Sequence, residues 1–249
     1  MANEIVKYNN DLNTVVLKGF TDTELKLFFA VCSKMKDQGT DEVTFTFDQL
    51  KNLIGIKKHV SKEQFAQTVQ SMYHKLIHLS YMFDDGDTAG EILLFNGYVR
   101  SLSEETFTLS VTQKYLYMFN QLTSNFTRFE LSEIVNLTGG RRSRLLYRQL
   151  KQWRTVGHYS VLIKDLRELL DIPDNYEMKT VTSKILNPAV DSLRKVYCFR
   201  HLTYKYSKKG NTVIRVIFDW DPEKIPHAET AKEAQSQDIS EVNYPPLRI

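Results

Sequence analysis

The sequence predicts an α+β protein built from two tandem copies of one small domain. Three observations carry this. The order helix, strand, short helix, long helix, hairpin occurs twice; a run of matching residues recurs 116 positions later; and the charge changes between the copies.

In the first copy, Thr21 and Glu24 have the spacing of a capping box, and Leu25, Phe28, Phe29, Cys32 and Met35 follow at helical intervals until Gly39 and Asp41. Val43-Thr44-Phe45-Thr46-Phe47 alternates as a strand does, and residues 48–55 read as a short helix closed by Gly55. Ser61 and Gln64 form a second capping box, opening a helix with Phe65, Val69, Met72 and Leu76 on its apolar face. Tyr81-Met82-Phe83, a turn over residues 84–90 and a strand from Ile92 to Val99 then predict a hairpin.

The second copy opens with a helix over residues 143–154 and the strand Tyr159-Ser160-Val161-Leu162-Ile163. Residues 164–172 then match residues 48–56, with Leu50/Leu166, Leu53/Leu169 and Ile56/Ile172 in register. A long helix over residues 177–196 carries Met178, Val181, Ile185, Ala189, Leu193 and Val196 at three- and four-residue spacing. Pro188 bends it, because proline lacks an N–H and crowds the carbonyl of Lys184. Residues 199–206 and 212–220 form a second hairpin around Lys208-Lys209-Gly210-Asn211. This order of elements is that of a winged helix-turn-helix, and a repeat of this length is a duplicated domain rather than a solenoid unit. The predicted organisation is domain 1 over residues 1–124, domain 2 over 125–222 and a flexible tail over 223–249.

Composition narrows the function. Hydrophobic residues are 42% and charged residues 25% of 249, a globular balance. No run approaches the roughly 18 apolar residues of a membrane span, and the N-terminus lacks the basic-then-apolar pattern of a secretory signal. Cys32 and Cys198 stand far apart, arguing against a disulfide framework or a cysteine-built zinc site and for a reducing cytoplasm. Residues 1–124 hold 12 Lys/Arg against 15 Asp/Glu, residues 125–222 hold 18 against 10, and residues 223–249 hold 3 against 5. A basic segment between two acidic ones is the footprint of a polyanion partner; its plain alternative is a solvated basic face.

Three groups of residues are candidates for DNA contact. Arg141, Arg144, Arg148 and Lys151 share the helix face opposite Leu146, Leu150 and Trp153, and Arg142 lies beside them. Gly139-Gly140 before them leave the helix N-terminus open to a phosphate. On the long helix, Lys179, Thr180, Ser183, Lys184 and Asn187 lie opposite the apolar stripe, on the element that enters the major groove in a helix-turn-helix. The second hairpin carries Lys208 and Lys209 at its tip, with Lys205 and Arg215 nearby, as a wing on the phosphate backbone requires. The first hairpin instead carries Asp84, Asp85, Asp87 and Glu91, so domain 1 is left with an auxiliary basic cluster, Lys57, Lys58 and Lys62. The edge of its hairpin, Tyr81–Phe83 and Ile92–Phe95, is the candidate surface for self-association.

Catalytic patterns are weak. His74 and His78 have zinc-pair spacing without the HExxH glutamate, the acidic tip lacks the EF-hand ligand pattern, and there is no phosphate loop, GxSxG elbow or paired-histidine nicking motif. The expectation is a protein without catalytic residues, metal or cofactor.

Arg144-Leu145-Leu146-Tyr147-Arg148-Gln149-Leu150-Lys151, the segment Ile163–Ile172 and above all Lys184-Ile185-Leu186-Asn187-Pro188-Ala189-Val190-Asp191-Ser192-Leu193 resemble the iteron-binding initiator (Rep) proteins of theta-replicating plasmids. Val6-Lys7-Tyr8-Asn9-Asn10 and Thr23-Glu24-Leu25-Lys26-Leu27-Phe28 are similar to that family's N-terminus, so the likeness spans about residues 4–221. The resemblance implies binding of direct repeats in double-stranded origin DNA, dimerisation through domain 1, repression of the initiator's own gene by dimers at an inverted repeat, replication-active monomers, and recruitment of the host initiator and replicative helicase. The other readings are a winged-helix transcriptional regulator without a replication role, a nicking enzyme disfavoured by the missing histidine pair, and a dimerisation scaffold disfavoured by the basic second domain.

Overall fold

The computed structural model describes residues 4–36, 38, 42–56, 60–84, 86–120 and 122–224. The first copy begins with β1 (Ile5–Asn9) and a 3-10 turn at Asn10–Asn13, followed by α1 (Asp22–Met35), β2 (Glu42–Thr46), α2 (Phe47–Leu53) and α3 (Lys62–Leu76). Then come β3 (Ser80–Asp84), β4 (Ala89–Leu93), β5 (Phe95–Ser101) and β6 (Thr106–Val111). The second copy runs through β7 (Phe126–Glu130), α4 (Leu131–Asn136), α5 (Gly140–Gln152), β8 (His158–Leu162) and α6 (Ile163–Leu169). It closes with α7 (Met178–Val181), a π-turn at Thr182–Leu186, α8 (Asn187–Leu193), β9 (Thr203–Lys209) and β10 (Thr212–Asp219).

The duplication is geometric as well as sequential. Strands β2 and β8, and helices α2 and α6, begin and end 116 residues apart. Each copy has a three-stranded antiparallel sheet of the same order, β2-β6-β5 and β8-β10-β9, so each is a winged helix. Local chemistry sets the helix starts. Thr21 and Glu24 close the expected capping box, while Ser61 accepts from the Gln64 N–H at 3.2 Å. At α3 only this half of the expected box forms, whereas a second complete box, Thr46 with Gln49, starts α2 one residue earlier than expected.

Two elements differ from the sequence reading. The hairpin expected from Tyr81 to Val99 is two structures. Strands β3 and β4 form a separate two-stranded ribbon, and the wing of the first copy is β5 with β6. Strand β6 was missed, although Phe107, Leu109 and Val111 alternate inward as buried residues. The acidic tip is therefore not the counterpart of the Lys208-Lys209 wing. The predicted bent helix of the second copy is, in turn, interrupted by a π-turn. The Asn187 N–H reaches back five residues to the Thr182 carbonyl, and Pro188 follows at once. Widening the helix here is how the chain accommodates a residue that cannot donate to Lys184 O and would otherwise collide with it.

The two copies are sewn together at their first strands. β1 pairs antiparallel with β7, Val6 opposite Phe129 and Tyr8 opposite Thr127, with all four side chains buried. The chain thus does not part into separate bodies at residue 124. Aromatic contacts continue the joint: Phe29 to Phe129 at 5.7 Å, Phe129 to Tyr147 at 5.2 Å, Tyr147 to Phe199 at 5.9 Å and Phe199 to Trp220 at 5.6 Å. Each such pair adds about 0.5–1.5 kcal/mol beyond the area it buries. Glu223, at the head of the predicted flexible tail, is docked rather than free, its N–H donating to Arg154 O at 2.8 Å. The remainder of that tail, residues 225–249, lies outside the described residues.

Glu24 ties α1 to α3 from a buried position. It accepts from the Thr21 N–H at 2.7 Å, from Ser71 Oγ at 2.6 Å and from Lys75 Nζ at 2.5 Å. Burial alone would raise its carboxyl, but the bonds from Lys75, Ser71 and Thr21 outweigh it and hold the group below its ordinary value of 4.5. A depressed carboxylate contributes stability that is complete above the unfolded value and is lost as pH falls through the folded one. Urea unfolding between pH 6 and 3 should show that loss, and Glu24→Gln should flatten it while lowering stability at pH 6; an unchanged slope in the variant would contradict this role.

Candidate nucleic-acid interface

The arginine face of α5, the first candidate for DNA contact, is inside the protein. Arg144 is 1% exposed, Arg148 0% and Lys151 4%. Arg144 forms an ion pair with Asp22 at the start of α1, and its Nη2 donates to Val135 O at 3.1 Å and Leu137 O at 2.7 Å. Arg148 donates to Leu12 O at 3.4 Å and Val15 O at 2.6 Å, while Gln149 reaches Asn13 O at 2.8 Å. Lys151 lies between Glu133 at 3.1 Å and Glu223 at 2.6 Å. Burial works against its charge, yet Cys198 and the two carboxylates prevail and raise its pKa. These three cations cannot reach a phosphate. Arg148 satisfies carbonyls of the segment leading into α1, Arg144 pairs with Asp22 while bonding carbonyls of its own copy, and Lys151 bridges two carboxylates of the second copy.

The residues at the head of α5 are engaged in the same joint. Arg141 Nη1 meets Asp171 Oδ2 at 2.5 Å, Arg142 Nη2 donates to Asp171 O at 3.1 Å, and the Gly19 N–H donates to the same Asp171 carboxylate at 3.1 Å. Gly139 is not an open phosphate seat. Its N–H donates to Ser192 Oγ at 3.0 Å, and a Cβ there would collide with Ser143 Oγ and lie 2.7 Å from Ser192 Cβ. Glycine is required because α5 and α8 pack closely at that point.

The other second-copy candidates gather at one end. Tyr206 bonds Thr182 at 2.7 Å and Tyr204 bonds Asn187 at 2.6 Å, so β9 runs antiparallel to the π-turned helix. The wing tip therefore lies beside the N-terminal half of that helix. Lys179, Ser183, Lys184 and Asn187 are exposed there, Thr180 is half-buried, and Lys208 and Lys209 are exposed at the tip. Arg167 holds the turn that presents the helix, donating to Pro173 O at 3.3 Å and Tyr176 O at 2.6 Å. Lys205 and Arg215 lie on the other face of the wing, Lys205 paired with Asp219 at 3.1 Å and Arg215 bonded to Ser160 Oγ at 2.9 Å. Lys164, which the sequence reading passed over, is exposed on α6 just after the strand pair Leu162–Arg215, where the first helix of a helix-turn-helix approaches the backbone. Its signal was available: a lysine at the second position of the helix that precedes the groove helix.

In the first copy, Lys62 is half-buried and paired with Glu105 at 2.6 Å, from the turn of the β5–β6 wing. That pair links α3 to the wing at the surface. Lys57 and Lys58 lie outside the described residues. Among the described residues, no group of three or more His, Cys, Asp or Glu side chains is placed to hold a metal ion, and no helix is long and apolar enough to cross a membrane.

Two family models match in succession, one described as "Initiator Replication protein, WH1" over residues 5–151 and one as "Initiator Rep protein, WH2" over residues 162–220. The chain belongs to the initiator replication protein family. A probable replication protein of Bifidobacterium longum is 28% identical over 240 residues, covering 96% of this initiator and 80% of its own length. Among solved structures, the Pi initiator protein in complex with iteron DNA superposes with a TM-score of 0.66 at 12% identity, covering 90% of this chain and all of that one. The likeness to Pi extends the fold agreement across both copies.

A test separates structural from DNA-contacting cations. Arg144→Met leaves two carbonyls and Asp22 without their donor, and should cost about 3 kcal/mol in urea unfolding. At concentrations where it remains folded, its affinity for random duplex and the salt dependence of that affinity should equal those of the unaltered initiator. A reduced salt slope would place Arg144 on a phosphate and contradict its burial.

Proposed function

We propose that this initiator binds direct repeats of double-stranded DNA, iterons, at the origin of a theta-replicating plasmid through its second copy. The helix from Met178 to Leu193 enters the major groove and the β9–β10 wing lies along the phosphates. The observation that carries this reading is the placement of Lys179, Ser183, Lys184, Asn187, Lys208 and Lys209, exposed together at one end of the second winged helix. The Pi initiator, similar in fold, is described in complex with iteron DNA, which supports the same use of the fold here.

The first copy serves self-association and auxiliary contact. Strand β5 ends the sheet β2-β6-β5, and Val99 on it is 66% exposed, as an edge that pairs with a second copy would be. Of the other candidates for that surface, the side chains of Tyr81–Phe83 and Ile92 lie outside the described residues, Leu93 is exposed, and Leu94 and Phe95 are buried in the core and so do not belong to it. Dimers repress the initiator's own gene at an inverted repeat, and monomers act in replication with the host initiator and helicase. The protein works in the cytoplasm and carries out no catalytic step itself. Sedimentation of the full chain over a concentration series tests the self-association; a strict monomer at high micromolar concentration would contradict it.

Positioning and reading are separable by titration of origin and random duplexes. Lys208→Ala or Lys209→Ala should weaken binding to both and lower the slope of log K against log salt by about one for each phosphate no longer neutralised. Lys184→Ala or Asn187→Ala should reduce the preference for origin sequence, at about 1–3 kcal/mol for each base that the side chain reads. Identical profiles from wing and helix variants would refute this division. Binding confined to a promoter operator, with the origin ignored, would favour a transcriptional regulator instead.

A further inference from the structure

We infer that Tyr204 and Tyr206, on the wing strand, are specificity-positioning residues that set how Asn187 and the π-turn meet the bases. This rests on the reading of the helix from Met178 to Leu193 as the groove element. Neither tyrosine belongs to the positive surface, and neither is needed there to contact phosphate.

The geometry is explicit. Thr182 Oγ1 donates its hydrogen to Met178 O at 2.7 Å, so the Tyr206 hydroxyl at 2.7 Å is the donor of the second bond. The Tyr204 hydroxyl donates to Asn187 Oδ1 at 2.6 Å. Thr182 opens the π-turn and Asn187 follows its last residue, so the two bonds bracket the five widened positions. The rings are braced in their turn, Tyr204 against Tyr206 at 5.6 Å and against Phe218 at 6.0 Å.

The consequence is chemical. An unconstrained asparagine rotates about its last side-chain bond and presents either its oxygen or its nitrogen to a base edge. With Oδ1 held by Tyr204, the amide NH2 of exposed Asn187 is the group turned toward the groove, and it favours acceptor edges such as purine N7, guanine O6 or thymine O4. A π-turn without its two anchors would also be free to relax along the helix, shifting Ser183 and Lys184 with it. Because the same strand ends at Lys208 and Lys209, the seating of the wing on phosphates and the presentation of Asn187 are linked through one rigid element.

Tyr204→Phe and Tyr206→Phe keep the ring packing and remove only the hydroxyls. Binding of the full chain should be measured against origin duplexes varied one base pair at a time and against a random duplex, with Asn187→Ala alongside. Tyr204→Phe should flatten the preference, by about tenfold, at the same base pair that Asn187→Ala flattens. Random-duplex affinity, its salt slope and the melting temperature should not change, since exposed Asn187 regains a water partner. Tyr206→Phe should blur the neighbouring positions read from the π-turn. If Tyr204→Phe keeps the original profile while Asn187→Ala loses it, the positioning role is overturned and the groove reading stands. If Asn187→Ala and Lys184→Ala also leave the profile intact, the groove reading fails and the positioning role with it. A uniform loss on every duplex together with a lower melting temperature would make the tyrosines merely structural and overturn the inference.

Discussion

The arrangement depends on the burial of Arg144 and Arg148 of α5 at the joint of the two copies, Arg144 against Asp22 of α1 and Arg148 against the segment that leads into α1. Two guanidinium groups, 1% and 0% exposed, donate to the carbonyls of Val135, Leu137, Leu12 and Val15, and one of them pairs with Asp22. Buried carbonyls in irregular backbone must find donors, and each arginine carries five N–H donors in a planar fork. Removing a donor would leave those groups desolvated without compensation, so residues 12–22 are tied to the second copy by polar necessity as well as by apolar burial. The β1–β7 pairing and the aromatic series from Phe29 to Trp220 close around the same helix.

That constraint decides which positive charges remain for DNA. The inward-facing cations of α5 hold the joint, while those of the groove helix and wing tip are exposed at one end of the second copy. The basic excess of residues 125–222, 18 against 10, thus includes two populations with different physics. One is desolvated and fixed in geometry. The other is exposed to water, as cations must be to exchange counterions for phosphates and give salt-dependent affinity. Tyr204 and Tyr206 tie the strand that carries the wing lysines to the helix proposed to read bases, so that under this proposal affinity and selectivity share one strand.

Much of the fold was legible. The offset of 116 residues that aligned Leu50 with Leu166 also aligns β2 with β8 and α2 with α6 to the residue. The Thr21–Glu24 box and the disturbance at Pro188 follow from local rules. The wing of the first copy was misread because the ribbon β3–β4 lies between α3 and the true wing, and its apolar residues look like wing strands until β6 is found pairing with β2. The α5 cations were misread because a helical wheel records one buried face. A helix between two domains has more than one, and its cations have partners in Asp22, Glu133 and Glu223, which are distant in sequence. Gly139 follows the same logic, since the close approach it permits is to Ser192 of the protein itself.

The division of the cations is tested most directly by chemical acetylation of lysines, read by mass spectrometry, with and without an origin duplex. Lys179, Lys184, Lys208 and Lys209 should react readily in the free initiator and be protected by DNA, with Lys164 protected as well. Lys151 should stay unreactive in both states, because it lies between Glu133 and Glu223. A reactive Lys151 that DNA protects, beside wing and groove-helix lysines that DNA leaves unchanged, would contradict the account.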